Sequence, residues 1–286
     1  MKAMVRKGLS FFGAAALLAI SIAILPRVFG RKRLRFPYLT GQIANADYQA
    51  LASEKGWSAA NVTVAPGIKL NGLVRRPSAP GGPWVLYYPG NDATQLKRGQ
   101  AFLSRLRGSE DWGLAVFAYR GYDSSDGVPQ ISDLAADAPE IALQLCHTEQ
   151  LTPAQVHLVG FSIGSYMAIR AVGALTQRNQ APASLSIMAG VNDIVMFRRS
   201  RWEKLDPGDD LLAQPFLGDI KAPVLVVQGG ADETLGGPVQ GKAIAATLAE
   251  RAKYVELPGI GHNALIETEG AIAAVHSFIA ERGKSL

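Results

Sequence analysis

The sequence predicts an α/β protein: a mostly parallel sheet with helices on both faces, led by an antiparallel hairpin. Three observations carry that expectation. From Trp84 onward, short apolar runs alternate with helical patterns at the spacing of strand–helix units. The run Val156–Gly160 continues through Gly160-Phe161-Ser162-Ile163-Gly164 straight into a helical pattern, the signature of a sharp strand-to-helix turn with a serine at its apex. Two alternating stretches also meet at Pro66-Gly67, which reads as a hairpin turn.

Taken in order, residues 36–60 read as a connector, with Gln42 to Lys55 weakly amphipathic and Gly56 as a stop. The hairpin follows as Asn61 to Ala65 and Ile68 to Arg75, closed by the turn-rich Ser78-Ala79-Pro80-Gly81-Gly82-Pro83. Strands are expected at Trp84–Tyr88, Leu114–Tyr119, Val156–Gly160, Ala183–Met188, Val224–Gln228 and Lys253–Leu257. Helices are expected near Gln95–Arg107, Ser132–Cys146, Ile163–Thr176, Pro238–Arg251 and Ala264–Arg282. The stretch 190–220 breaks the rhythm. It carries Phe197, Trp202 and Phe216 among charges and prolines, and it is long for a connection in a compact domain, so we expect a short lid contributing to a substrate pocket. The chain thus divides into an N-terminal segment (1–35), the connector (36–60) and an α/β domain (61–286) with its insertion at 190–220.

At 286 residues with 48% hydrophobic and 19% charged residues, the chain has the composition of an ordered domain with a sizeable core. Its net charge of +5 is concentrated in Lys2, Arg6, Lys7, Arg27, Arg31, Lys32, Arg33 and Arg35, and the remainder is close to neutral. No basic run or basic–aromatic interleaving follows Arg35, which argues against a nucleic-acid partner. The single cysteine, Cys146, excludes an intrachain disulfide and falls on a helix's apolar stripe as a small buried hydrophobe. Gly8 to Leu25 carries no charge and would span about 27 Å as a helix, close to a bilayer core. The basic cluster after Pro26 favours an uncleaved membrane anchor over a signal peptide cut near Ser21-Ile22-Ala23, which would yield an exported soluble form. The excess of positive charge on its C-terminal side argues for a cytoplasmic domain.

In an open parallel sheet, ligands bind beyond the carboxyl ends of the strands, so the loops there hold the chemistry. A serine hydroxyl is a weak nucleophile. Ser162 therefore needs a base, and the base needs an orienting acid. His262, in the glycine-rich Pro258-Gly259-Ile260-Gly261-His262-Asn263, follows the last expected strand and is the candidate general base. Asp232, after Val224–Gln228, is the candidate acid, with Glu233 and Asp193 as rivals. His147, His157 and His276 fall in or beside helices and strands and read as structural. The backbone N–H of Asn91, in Pro89-Gly90-Asn91-Asp92, and that of Ile163 are the candidate oxyanion donors. Phe161, Phe197 and Trp202 are assigned to the substrate pocket. The sequence has no glycine-rich phosphate loop and no His/Cys/Asp cluster at ligand spacing, so neither a nucleotide cofactor nor a metal is expected.

The order Ser162, Asp232, His262, each in a loop after a strand, resembles the α/β-hydrolase superfamily from roughly Val62 to the C-terminus. More narrowly, Tyr119-Arg120-Gly121-Tyr122 and the following Ser125-Asp126-Gly127-Val128-Pro129 resemble the membrane-anchored serine hydrolases with a His-Gly-Asn-Ala oxyanion loop. Pro89 stands where those proteins have histidine, which bears on how the loop is supported. The resemblance implies an architectural role for the tyrosine–arginine–glycine stretch, and Arg120 suits the tying together of loops. It also implies a serine hydrolase acting on a carboxylic ester or thioester with a small-molecule or lipid-like acyl group. A peptidase of the same fold, a cofactor-free peroxidase-like enzyme and a non-catalytic binding module are the alternatives.

Overall fold

The computed structural model describes residues 33–34, 36–193, 204–205, 211–234 and 237–283. The chain divides into two units. One comprises Met1–Arg35 with Arg198–Asp206, and within it Arg33–Leu34 pairs in parallel with Lys204–Leu205. The other comprises Phe36–Phe197 with Pro207–Leu286 and contains the sheet.

That sheet has eight strands: β1 (Trp57–Ala65), β2 (Ile68–Arg75), β3 (Trp84–Tyr88), β4 (Gly113–Phe117), β5 (Val156–Phe161), β6 (Ser184–Met188), β7 (Val224–Gly229) and β8 (Ala252–Leu257). Their spatial order is β8-β7-β6-β5-β3-β4-β2-β1. All neighbours from β4 to β8 pair in parallel, while β2 runs antiparallel to both β1 and β4. Every residue of β3, β4, β5, β6 and β7 is buried, as expected for central parallel strands covered on both faces. The order reverses at β3, whose neighbours are β4 on one side and β5 on the other. The loops leaving β3 and β5 therefore diverge to open a crevice, the place where open α/β sheets bind ligands.

The helices are α1 (Asn45–Ser53), α2 (Gln95–Arg107), α3 (Ile131–Glu149), α4 (Ile163–Gln177), the short α5 (Gln214–Leu217), α6 (Pro238–Leu248) and α7 (Glu269–Gly283). Consecutive strand residues show which face each covers. Tyr87 packs its ring on Phe102 of α2, while the Tyr88 hydroxyl donates to the Ala138 carbonyl of α3 across the sheet. Helices α2 and α7 pack together on the first face, and α3 packs against α4 on the second.

Several boundaries differ from expectation, most of them by one to three residues; three differences bear on the architecture. Strand β1 begins at Trp57, not Asn61, because the whole of β2 is available to pair and Trp57 lies opposite Arg75. The amphipathic stretch condenses to α1, tied to the hairpin by Tyr48, whose hydroxyl donates to Gly72 O at 2.8 Å. The last helical pattern splits into a 3-10 turn (Asn263–Glu267) and α7. Cys146 is buried as expected, and burial pushes its thiol up to about 11. The expected anchor, Gly8 to Leu25, lies outside the described residues. Among the described residues no helix is long and apolar enough to cross a membrane.

Candidate active site

The turn at Ser162 is held open by absent side chains. A Cβ on Gly160 would stand 2.3 Å from Gly164 O, and one on Gly164 would stand 2.0 Å from Tyr88 O. Only glycine permits so close a crossing of β5, α4 and the end of β3. Ser162 itself adopts φ 56° and ψ −124°, a strained conformation for a side chain with a Cβ. Its N–H bonds Met188 O at 3.0 Å and its carbonyl accepts from Ser165 Oγ at 2.6 Å, so the neighbouring strand and the first turn of α4 fix the strain in place.

The strain aims the hydroxyl at His262. Ser162 Oγ and His262 Nε2 lie 2.9 Å apart, and His262 Nδ1 lies 2.8 Å from Asp232 Oδ2. A carboxylate partner makes Nδ1 the protonated nitrogen, which leaves Nε2 as acceptor for the serine proton. Asp232 is 5% exposed and is itself positioned: Gln228 Nε2 donates to Oδ2 at 3.0 Å and Thr234 N–H to Oδ1 at 2.8 Å. The rival acids stand apart from this chain. Asp193 bonds through its backbone to Gln240, and the Glu233 side chain is exposed. The other histidines are held as structural groups: His157 Nδ1 meets Ser184 Oγ within the sheet, and His276 Nδ1 meets Leu106 O beneath Trp112.

The loop after β3 lies directly across Ser162. A Cβ on Gly90 would stand 3.4 Å from Ser162 Cβ and 2.9 Å from the Phe161 ring, so Gly90 keeps the Gly90–Asn91 backbone within reach of the serine. Ile163 opens α4, and its N–H belongs to the first turn, where no intrahelical acceptor exists. Asn91 and Ile163 line one cavity with Ser162 and His262. Such a pair can receive a developing oxyanion.

Support for that loop comes from the tyrosines of the stretch expected to be architectural and from Gln95, for which the sequence carried no signal. With proline at position 89, its carbonyl accepts from Tyr119 OH at 2.9 Å, and Gln95 Nε2 donates to Gly90 O at 2.9 Å. Gln95 Oε1 in turn accepts from Tyr119 N–H at 2.9 Å. The Asn91 side chain is fully engaged: Oδ1 accepts from Tyr122 OH at 2.7 Å and Leu39 N–H at 2.8 Å, and Nδ2 donates to Pro37 O at 2.8 Å. Both tyrosines of Tyr119-Arg120-Gly121-Tyr122 thus hold the loop that follows β3. Arg120 forks onto Asp137 at 2.5 and 2.6 Å, an architectural tie between that stretch and α3.

The cavity has a volume of about 310 Å³, and Phe36, Pro37, Leu39, Tyr87, Phe161 and Ile266 form much of its apolar wall. Phe161 is the pocket residue the sequence identified. Phe197 and Trp202 lie outside the described residues. The described residues of the expected lid that belong to the larger unit, 190–193 and 211–220, contribute nothing to this cavity. Instead Phe216 packs on Tyr166 and beneath the Arg170 guanidinium, against the outer side of α4. The connector, read from sequence as a mere link, supplies a wall in its place.

No protein-family model matches the chain. It is 30% identical over 230 residues to the uncharacterized Mycobacterium tuberculosis proteins Rv2307c (strain H37Rv) and MT2364 (strain CDC 1551), covering 77% of this chain and 78% of each relative. The chain belongs to the same family as Rv2307c. Among solved structures it is similar to an alpha-beta hydrolase from Vibrio vulnificus, with a TM-score of 0.65 at 16% identity over 86% of this chain and 88% of that one. The Pyrococcus furiosus esterase Pf2001 gives 0.63 at 15% identity, over 87% and 100% of the two chains. Est1E from Butyrivibrio proteoclasticus, solved with ferulic acid, gives 0.63 at 18% identity over 78% and 99%. At these identities the likeness is one of fold, and the fold is that of the α/β-hydrolases.

Proposed function

We propose that the chain is a serine hydrolase that cleaves a carboxylic ester or thioester through an acyl-enzyme. The observation that carries the reading is the continuous hydrogen-bonded chain from Ser162 Oγ through His262 to Asp232, at 2.9 and 2.8 Å, beside a cavity that Asn91 and Ile163 also line. Ser162 Oγ attacks the acyl carbonyl while its proton passes to His262 Nε2. The Asn91 and Ile163 N–H groups stabilise the tetrahedral oxyanion. As the carbonyl re-forms, the alcohol or thiol leaves with the proton from His262. Water then attacks the acyl-serine, giving a proton to His262, which returns it to Ser162 as the acid departs. Asp232 keeps the imidazole in the required tautomer and balances its transient charge.

The apolar wall favours a lipophilic acyl or alcohol group. A volume of about 310 Å³ lies at the lower end for ligand sites, which favours a small ester over a polypeptide and sets the peptidase reading second. The uncharged run Gly8 to Leu25 with its basic flank supports attachment to a membrane through that segment. Extraction of the full chain with carbonate tests the attachment: retention in the pellet is expected, and release into the supernatant contradicts it. For the reaction, purified protein is assayed on p-nitrophenyl esters of increasing chain length alongside a peptide panel. Ester turnover that disappears in Ser162→Ala is expected. Undiminished turnover in that variant, or cleavage confined to peptides, overturns the reading.

A further inference from the structure

Tyr87 is a cavity residue with no part in the reaction just described. It lies in β3, only 3% exposed, with its ring 4.7 Å from that of Phe102, and it lines the same cavity as Ser162. Its neighbours in the fold use their hydroxyls structurally: Tyr88 donates to Ala138 O, Tyr119 to Pro89 O and Tyr122 to Asn91 Oδ1. The Tyr87 hydroxyl has no hydrogen-bond partner among the described residues. The oxygen is not one of the protein's fully buried atoms without a partner, so it opens onto the cavity, where a ligand atom can replace water on it.

The surroundings select the chemistry of that atom. The charged groups acting on the hydroxyl are Arg98 and Asp92. They form an ion pair with each other, and Arg98 reaches Glu267 at 3.5 Å. Their charge is therefore balanced within the protein, which leaves no free cation beside the hydroxyl among the described residues and suits a neutral oxygen. Burial pushes the phenol far above its ordinary range, so it stays a neutral O–H donor. One cavity of about 310 Å³ is lined by both Ser162 and Tyr87, so a single small ligand seated there meets both walls.

We propose that Tyr87 determines substrate specificity: its O–H donates to a hydroxyl, ether or carbonyl oxygen carried by the group seated in the cavity. On the serine-hydrolase reading on which this rests, the preferred substrate is an oxygen-bearing ester or thioester, and a plain alkyl one is second best.

The test uses the full chain carrying Ser162→Ala, so that binding is read without turnover. Titration calorimetry compares ethyl ω-hydroxyalkanoates of four to eight acyl carbons with alkanoates of equal atom count. At one or more lengths the hydroxy ester is expected to bind about tenfold more tightly. Adding Tyr87→Phe removes that preference, leaves alkanoate affinity within about twofold, and leaves the melting temperature equal or higher, because the hydroxyl has no protein partner to lose. Absence of any preference, its survival in Tyr87→Phe, or a marked fall in melting temperature each overturns the proposal. Loss of the hydrolase reading would appear elsewhere, as wild-type ester turnover that Ser162→Ala leaves intact.

Discussion

The two sides of Ser162 are built on different principles. On one side His262 and Asp232 reach the serine through side-chain atoms, each from the loop after its own strand, β8 and β7. On the other side the proposed donors are the backbone N–H groups of Asn91 and Ile163, and side chains act only at one remove. Tyr119, Tyr122 and Gln95 hold the loop, and Asn91 binds it to the connector at Pro37 and Leu39. The acid–base side depends on which residues are present, whereas the oxyanion side depends on where a backbone is held. Substitutions should therefore be near-absolute on the first side and graded on the second.

The largest effects belong to the acid–base side. His262→Ala should lower kcat by on the order of 10⁵-fold or more, about as much as Ser162→Ala, since the two act as a unit. Asp232→Asn should cost about 10⁴-fold by stabilising the wrong imidazole tautomer, while Asp193→Asn should leave kcat within about twofold. Steady-state ester hydrolysis by the four variants checks this ordering. A large loss in Asp193→Asn with a small one in Asp232→Asn would exchange their roles.

On the oxyanion side, Tyr122→Phe removes one of two hydrogen bonds to Asn91 Oδ1 but leaves the loop's other ties. We expect about a tenfold fall in kcat with KM nearly unchanged, the pattern of an interaction that matters in the transition state. An equal effect on KM alone would mean that Tyr122 shapes the cavity and not the donor. Leu39→Ala is milder. Leu39 is 55% exposed and lines the cavity rim, so its truncation should shift chain-length preference toward longer esters by a few-fold in KM while kcat on acetate esters holds.

The smallest effect is on stability. Asp123, 2% exposed, accepts the Leu96 N–H at 2.7 Å where α2 leaves the oxyanion loop, and burial pushes its carboxyl up to about 6. The folded state thus binds the proton more tightly than the unfolded chain. Its contribution is fully present below the unfolded value near 4 and is lost as pH rises through about 6. Asp123→Asn keeps the acceptor and removes the charge, so the melting temperature should rise by a few degrees at pH 8 and stay level at pH 4. Equal shifts at both values would assign the effect to packing.

The same contrast explains what the sequence made legible. Ser162, Asp232 and His262 were readable because their chemistry requires particular residue types at strand ends, and the apolar runs of β3 to β7 were readable because burial on both faces leaves a continuous pattern. The connector's role was not readable. Phe36, Pro37 and Leu39 carry no periodic signal, and their place at the cavity follows from hydrogen bonds to Asn91 more than fifty residues away. Nor could composition reveal that Phe216 faces Tyr166 of α4, since an aromatic among charges and prolines suits a lid and a packed excursion equally. Pro89 illustrates the limit of a motif: the customary histidine is absent, yet Tyr119 and Gln95 hold the carbonyls of Pro89 and Gly90.

In the proposed reaction Ser162 is a nucleophile activated by His262. Incubating the purified chain with a fluorophosphonate probe and mapping the adduct by peptide mass spectrometry tests it most directly. One adduct per chain on the peptide containing Ser162, lost in both Ser162→Ala and His262→Ala, is the predicted result. A folded protein that takes up no probe at Ser162, or labelling that persists without His262, would contradict it.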